Sequence, residues 1–181
     1  YMLGNLYYKG YGSLKRNEME ALEWYRNASD DGSRDAQFTL GVLYATGTKL
    51  LRRDQEKALQ WYRRAAEHGH PAAQFLLGQA YFTGSGFAKS ELTAVQWFQK
   101  SAQQGNADAQ FYLGYAIYNG MGGLEKNDVE AVKWFRRAAD QENANGELYM
   151  GLTYYNGWGH IPRDTNKAIT LFQRSAQKGS V

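Results

Sequence analysis

One motif recurs at nearly constant spacing, and this repetition limits the fold more than any other property of the chain. Phe38-Thr-Leu-Gly-Val-Leu-Tyr44, followed by Gly47, returns as Phe75-Leu-Leu-Gly-Gln-Ala-Tyr81 with Gly84, and as Phe111-Tyr-Leu-Gly-Tyr-Ala-Ile117 with Gly120. A weaker copy is Leu148-Tyr-Met-Gly-Leu-Thr-Tyr154 with Gly157, and a partial one, Leu3-Gly-Asn-Leu-Tyr7 with Gly10, opens the chain. The marker glycines Gly4, Gly41, Gly78, Gly114 and Gly151 lie 37, 37, 36 and 37 residues apart. A fixed period in this range marks a stacked-repeat architecture, where each unit buries its apolar face on the next.

Within the second copy, Ala36, Leu40, Leu43, Tyr44 and Gly47 follow helical spacing rather than alternation. This is helix A. Gly41 sits in its interior, where glycine costs about 1 kcal/mol against alanine, so its recurrence predicts close approach of a neighbouring helix. The following loop holds one apolar residue per copy: Leu14, Leu51, Phe87, Leu124 and Ile161. Three residues later stand Asn17, Asp54, Ser90, Asn127 and Asp164, all able to cap a first turn. Helix B then carries an aromatic pair, Trp24-Tyr25, Trp61-Tyr62, Trp97-Phe98 and Trp134-Phe135, replaced by Leu171-Phe172 at the end. The tryptophans, Trp61 and Trp97 among them, are expected to be buried. Helix B is expected to stop at Gly32, Gly69, Gly105 and Gly179. In the fourth copy Glu142 takes the glycine position, so either Glu142 accepts a strained conformation or the turn shifts toward Asn143 to Gly146. The one short period places a deletion in the third A–B loop.

The chain is expected to be a single array: a partial repeat over 1–32, repeats over 33–69, 70–105 and 106–142, and a terminal repeat over 143–181. Tyr1 is not an initiator methionine, which suggests a piece of a longer protein. No apolar run approaches the roughly 20 residues that cross a bilayer, so no membrane insertion is expected. Cysteine is absent, which excludes disulfides and thiolate chemistry. The net charge of +3 is spread among interleaved acids rather than gathered on a basic face, so no nucleic-acid partner is expected. The compartment stays open.

The pattern best seen at Ala36-Gln-Phe-Thr-Leu-Gly41 with Ala58-Leu-Gln-Trp-Tyr-Arg-Arg-Ala-Ala66 closely resembles the Sel-one-like repeat family, a relative of tetratricopeptide repeats. The resemblance covers nearly the whole chain; it departs at Ile117, Gly146, Met150 and Leu171. It implies an all-α, right-handed solenoid of helix-turn-helix repeats, with helix A on the concave side. It also implies a protein interaction scaffold or adaptor rather than an enzyme, as in bacterial signalling and virulence systems.

The candidate binding residues are the helix-A positions that do not recur. They are Thr39 and Val42, then Leu76 and Gln79, then Tyr112, Tyr115 and Asn119, then Tyr149 and Leu152, with Thr46, Thr83 and Asn156 at the third place of their trios. Spacings of three and four put each trio on one helical stripe. Tyrosines combine a broad apolar face with one polar tip, which suits a protein or peptide ligand; packing between repeats is the competing use. Trp158, between Gly157 and Gly159, is a further candidate on the loop rim. The alternative is a small-molecule, glycan or cell-wall site, or a hydrolytic one, in the same groove. Exposed repeat ends would also permit end-to-end self-association. His68-Gly-His70 lacks the further ligands a metal needs, and no cofactor is expected. Arg63, Arg64, Lys100, Arg136, Arg137 and Arg174 read as cations complementing helix C-termini.

Overall fold

A computed structural model describes residues 1–179; Ser180 and Val181, expected to end the terminal repeat, lie outside the described residues. Among the described residues there are ten α-helices and no strand. They run α1 (Met2–Lys9), α2 (Glu18–Asp30), α3 (Arg34–Thr46), α4 (Gln55–Glu67), α5 (Pro71–Thr83), α6 (Glu91–Gln103), α7 (Ala107–Asn119), α8 (Asp128–Asp140), α9 (Ala144–Asn156) and α10 (Thr165–Gln177), with a 3-10 turn, Trp158–His160, after α9. Odd-numbered helices carry the Leu-Gly motif and are the A helices; even-numbered ones carry the aromatic pair and are the B helices. The chain divides into two compact units, Tyr1–Leu77 and Gly78 onward.

The five B helices start at the expected residues. Asn17, Asp54, Ser90, Asn127 and Asp164 are extended and accept from first-turn N–H groups, for example Lys57 N at 3.0 Å and Glu130 N at 2.9 Å. Ser33, Asn106 and Asn143 do the same for A helices. At α5 the acceptor is His70 Nδ1, 3.2 Å from Ala73 N, with Pro71 at the first helical position, where its missing N–H is not needed. Of the two alternatives at Glu142, the strained one holds: its φ is +60°.

The helix-interior glycines face a ring. A Cβ on Gly41 would stand 2.6 Å from Tyr62 Cδ1, one on Gly78 2.7 Å from Phe98, and one on Gly114 2.8 Å from Phe135. The second member of each aromatic pair is therefore seated flat against helix A of its own hairpin. Tyr25 and Phe98 are 1% exposed and Phe135 is 0%. The first member is not fully buried, which corrects the expectation for Trp61 and Trp97: both are half-buried. A cation one turn on covers the ring instead. Arg64 lies 4.9 Å from the Trp61 centroid, Lys100 4.2 Å from Trp97 and Arg137 4.4 Å from Trp134. Trp24, followed by Asn27 at that spacing, is the exposed one.

Buried amides join successive hairpins. Gln37 Nε2 donates to Ser29 O and Gln74 Nε2 to Ala66 O, both at 3.1 Å, and Gln110 Nε2 to Ala102 O at 3.4 Å. The terminal hairpin departs from this. Glu147, fully buried, occupies the glutamine register; Oε1 accepts from Lys178 Nζ at 3.0 Å and pairs with Arg174, and Oε2 has no hydrogen-bond partner among the described residues. Gly146 lets α9 lie against α8, since a Cβ there would be 2.7 Å from both Ala138 Cβ and Ala139 N.

The core of the first unit is Ala21, Leu22, Tyr25, Leu40 and Leu43, with Trp61 packed against it. That of the second is Phe111, Ala131, Val132, Phe135, Ala138 and Met150.

Candidate functional site

In the second unit, the helix-A tyrosines meet in an open cleft. Phe82 comes from α5, Phe111, Tyr112 and Tyr115 from α7, and Asn145, Leu148 and Tyr149 from α9; together they line a cavity of about 400 Å³. The rings hold one another at tilted and edge-on angles suited to their quadrupoles. Tyr112 stacks on Phe98 at 5.0 Å and meets Phe82 edge-on at 6.1 Å. Tyr149 lies 5.9 Å from Tyr115, edge-on, and 4.8 Å from Phe135. Each of these three tyrosines is half-buried. They pack on the core of this unit and also line the cleft. Burial raises the Tyr149 hydroxyl above its ordinary value, with Tyr115 and Tyr118 adding to the effect. It stays a neutral donor and acceptor near neutral pH.

The remaining candidates fall elsewhere. Thr39, Val42 and Leu76 belong to the first unit. Thr39 Oγ1 donates to Asp35 O at 2.8 Å, so its hydroxyl serves its own helix. The third place of each trio does likewise. Thr46, Thr83, Asn119 and Asn156 donate to the carbonyls of Val42, Gln79, Tyr115 and Leu152 at 2.9, 2.9, 2.9 and 3.1 Å. Asn119 is thus the last-turn side chain of α7, on the surface but engaged locally. Gln79 and Leu152 are half-buried and do not line the cleft. Trp158 is not part of it either. Its ring lies 4.7 Å from Tyr118, and with Asp128, Val129 and His160 it borders a separate cavity of about 520 Å³. Phe82, Asn145 and Leu148 were not anticipated. Phe82 had a visible signal, since the place four residues after the marker glycine varies as Ala45, Phe82, Tyr118 and Tyr155.

His70 is a structural residue: it caps α5 and stacks on Phe38 at 4.2 Å. Burial depresses its basicity, Asp35 opposes that shift, and Arg34 adds to it. Among the described residues no group of three or more His, Cys, Asp or Glu side chains is placed to hold a metal ion. Among the described residues no helix is long and apolar enough to cross a membrane.

The Sel1 repeat family model matches five times, over residues 1–33, 34–70, 71–106, 107–143 and 144–180. The chain belongs to the Sel1 repeat family. A Sel1 repeat protein from Oxalobacter formigenes is 31% identical over 98% of this chain and 69% of its own, with a TM-score of 0.82. A protective antigen present in uropathogenic Escherichia coli strains, with an SLR fold, is 34% identical over 99% of this chain, with a TM-score of 0.79. This chain spans 38% of the antigen's length. An immunity protein from Pseudomonas aeruginosa shares the fold at 22% identity, with a TM-score of 0.55, over 98% of this chain and 65% of its own. No curated protein matches the chain significantly. Fold and family are thus an all-α solenoid of Sel1 repeats. Such proteins are commonly protein–protein interaction scaffolds and generally not enzymes.

Proposed function

We propose that the protein is a scaffold that binds a protein or peptide segment in the α5–α7–α9 cleft. The observation that carries this reading is the lining: four aromatic rings besides Phe82, one leucine and one amide, with no carboxylate, imidazole or cation among them. Aromatic side chains give large contact area at low entropic cost and dominate the affinity of many interfaces. Tyr112, Tyr115 and Tyr149 are the anchors in this account. Thr39, Val42, Leu76, Gln79, Asn119, Leu152 and Trp158 do not line the cleft and are given no part in this reading.

Self-association through the repeat ends is a second reading; sedimentation over a concentration series tests it, and a constant mass would refute it.

The test of the cleft compares affinity purification with the wild-type protein, a Tyr112→Ala/Tyr115→Ala variant, and a Tyr115→Lys variant that places a charge at the cleft. The reading expects partner recovery to drop at least about tenfold, the scale of losing an aromatic hot spot. Undiminished recovery by variants that melt cooperatively would refute it.

A further inference from the structure

Resting on the binding role given to the α5–α7–α9 cleft, we propose that its occupant is an arginine side chain of the partner segment, held between the aromatic rings and the carboxylate of Asp108. The helices that line the cleft, α5, α7 and α9, contain no Lys, Arg or His. Each of α4, α6, α8 and α10 contains at least one Lys or Arg, and the whole chain carries a net charge of +3. Composition therefore does not explain a cleft without cations.

One end of the cleft carries a carboxylate without a counter-ion. Asp108 stands in the first turn of α7, one turn before Tyr112 and two before Tyr115, on the same helical stripe. Neighbours at that spacing lie roughly 5–6 Å apart between Cβ atoms. Asp108 Oδ1 accepts from Asn143 Nδ2 at 2.7 Å. Asn143 caps α9, and Asn145, just after it, lines the cleft, so the carboxylate sits where α7 and α9 meet. Its partner there is a neutral amide. Among the described residues no ion pair includes Asp108, and it is exposed. At the same register of α3, Asp35 has Arg34 beside it at 3.9 Å; α7 has Ala107 in the place of that arginine. The other acid of the lining helices, Glu147, is fully buried and already paired with Arg174 and Lys178.

The rings favour the same visitor. Phe82 and Tyr112 meet at 71°, Phe111 and Tyr112 at 71°, and Tyr115 and Tyr149 at 82°. Rings set this steeply to one another cannot all turn their edges to one space. Part of the lining is therefore ring face, the negative side of the quadrupole, which attracts a cation. A guanidinium suits it better than an ammonium group. It is planar and stacks on a ring, it is more weakly hydrated, and its fork of donors matches a carboxylate. An acidic side chain would meet ring faces and Asp108, and would be repelled.

The probe is a blocked pentapeptide with a central arginine and two serines on each side, titrated into the isotopically labelled protein and read by amide shifts. Saturable shifts at Tyr112, Tyr115 and Tyr149 are expected, weakening with salt. Citrulline at the centre keeps the shape and removes the charge; it should bind at least about tenfold more weakly. Asp108→Asn, at an exposed position, keeps an acceptor for Asn143 and should weaken the arginine peptide about threefold, with a shallower salt dependence. Tyr115→Leu, apolar but without a ring, should weaken it as well. A phenylalanine-centred peptide separates this proposal from the cleft reading beneath it. If that peptide saturates the same amides and the arginine peptide does not, the cleft binds segments but selects no cation, and only the proposal falls. The cleft reading itself falls by undiminished partner recovery in Tyr112→Ala/Tyr115→Ala. The proposal is overturned by the absence of saturable shifts with arginine, by equal binding of citrulline, or by wild-type affinity in Asp108→Asn.

Discussion

Replacing Gly114 by alanine sets helix propensity directly against packing. In the middle of α7, alanine should favour the helix by about 1 kcal/mol over glycine. The added Cβ, however, would stand 2.8 Å from Phe135 Cε1, 2.9 Å from Cδ1 and 3.1 Å from the backbone oxygen of Ala131. Ordinary contact begins at 3.4 Å, so the ring would have to withdraw about 0.6 Å. It has little room to do so: Phe135 is 0% exposed, in a core with Ala131 and Met150. Overpacking of this kind costs about 1–3 kcal/mol, and with two ring atoms and a backbone atom involved the upper half of that range applies. The net expectation is a destabilisation of about 1–2 kcal/mol, or a melting temperature lower by roughly 2–8 °C for a chain of this size. Urea denaturation followed by circular dichroism reads it. Phe135→Ala alone should cost about 3–5 kcal/mol. On that background Gly114→Ala should turn neutral or stabilising, since the ring it strikes is gone. A stabilising Gly114→Ala in the otherwise wild-type protein would refute the argument that the ring explains the recurrent glycine.

Three other outcomes follow from the geometry. Glu142→Gly should stabilise by about 1 kcal/mol, because glycine adopts φ +60° without the steric penalty of a side chain; an unchanged or lower melting temperature would count against strain there. His70 has a folded-state pKa below its unfolded value, so the unfolded chain binds more protons and its contribution is present above about pH 6.5 and lost as pH falls below that. His70→Asn keeps a capping side chain without the titration, and melting curves from pH 8 to pH 5 should show the variant gaining on wild type as pH drops. Arg137→Ala should cost about 0.5–1 kcal/mol by uncovering Trp134, with a red shift of the indole emission; identical spectra would remove the roof argument.

Much of the fold could be read in advance because its signals are local. A cap such as Asp54 acts on N–H groups within its own first turn, and Gly69 answers to its own backbone angle. The recurrent glycines pointed to a close approach, and both a ring seated on the helix and a backbone oxygen of the partner helix make it, as Phe135 and Ala131 O do at Gly114. What was hidden depends on neighbours distant in sequence. Glu147 looked like one polar variant of Gln37, Gln74 and Gln110; its burial and its pairing with Arg174 and Lys178 exist only because α10 folds against α9. Trp61 looked like core, yet it is only half-buried, its outer face covered by Arg64, one turn away, and not by another helix. Asn119 read as a groove contact, but its amide closes on the Tyr115 carbonyl. Tyr112, Tyr115 and Tyr149 were legible as a stripe. The cleft they line also needs Phe82 from α5 and Asn145 and Leu148 from α9.

Site-specific photo-crosslinking weighs the binding role of the cleft most directly. A benzophenone amino acid placed at Tyr115, on the cleft, is compared with one at Gln99, exposed on helix B, in cells producing the intact protein. The account predicts a discrete polypeptide adduct from position 115 that is missing from position 99. The same adducts from both positions, or none from position 115, would contradict it.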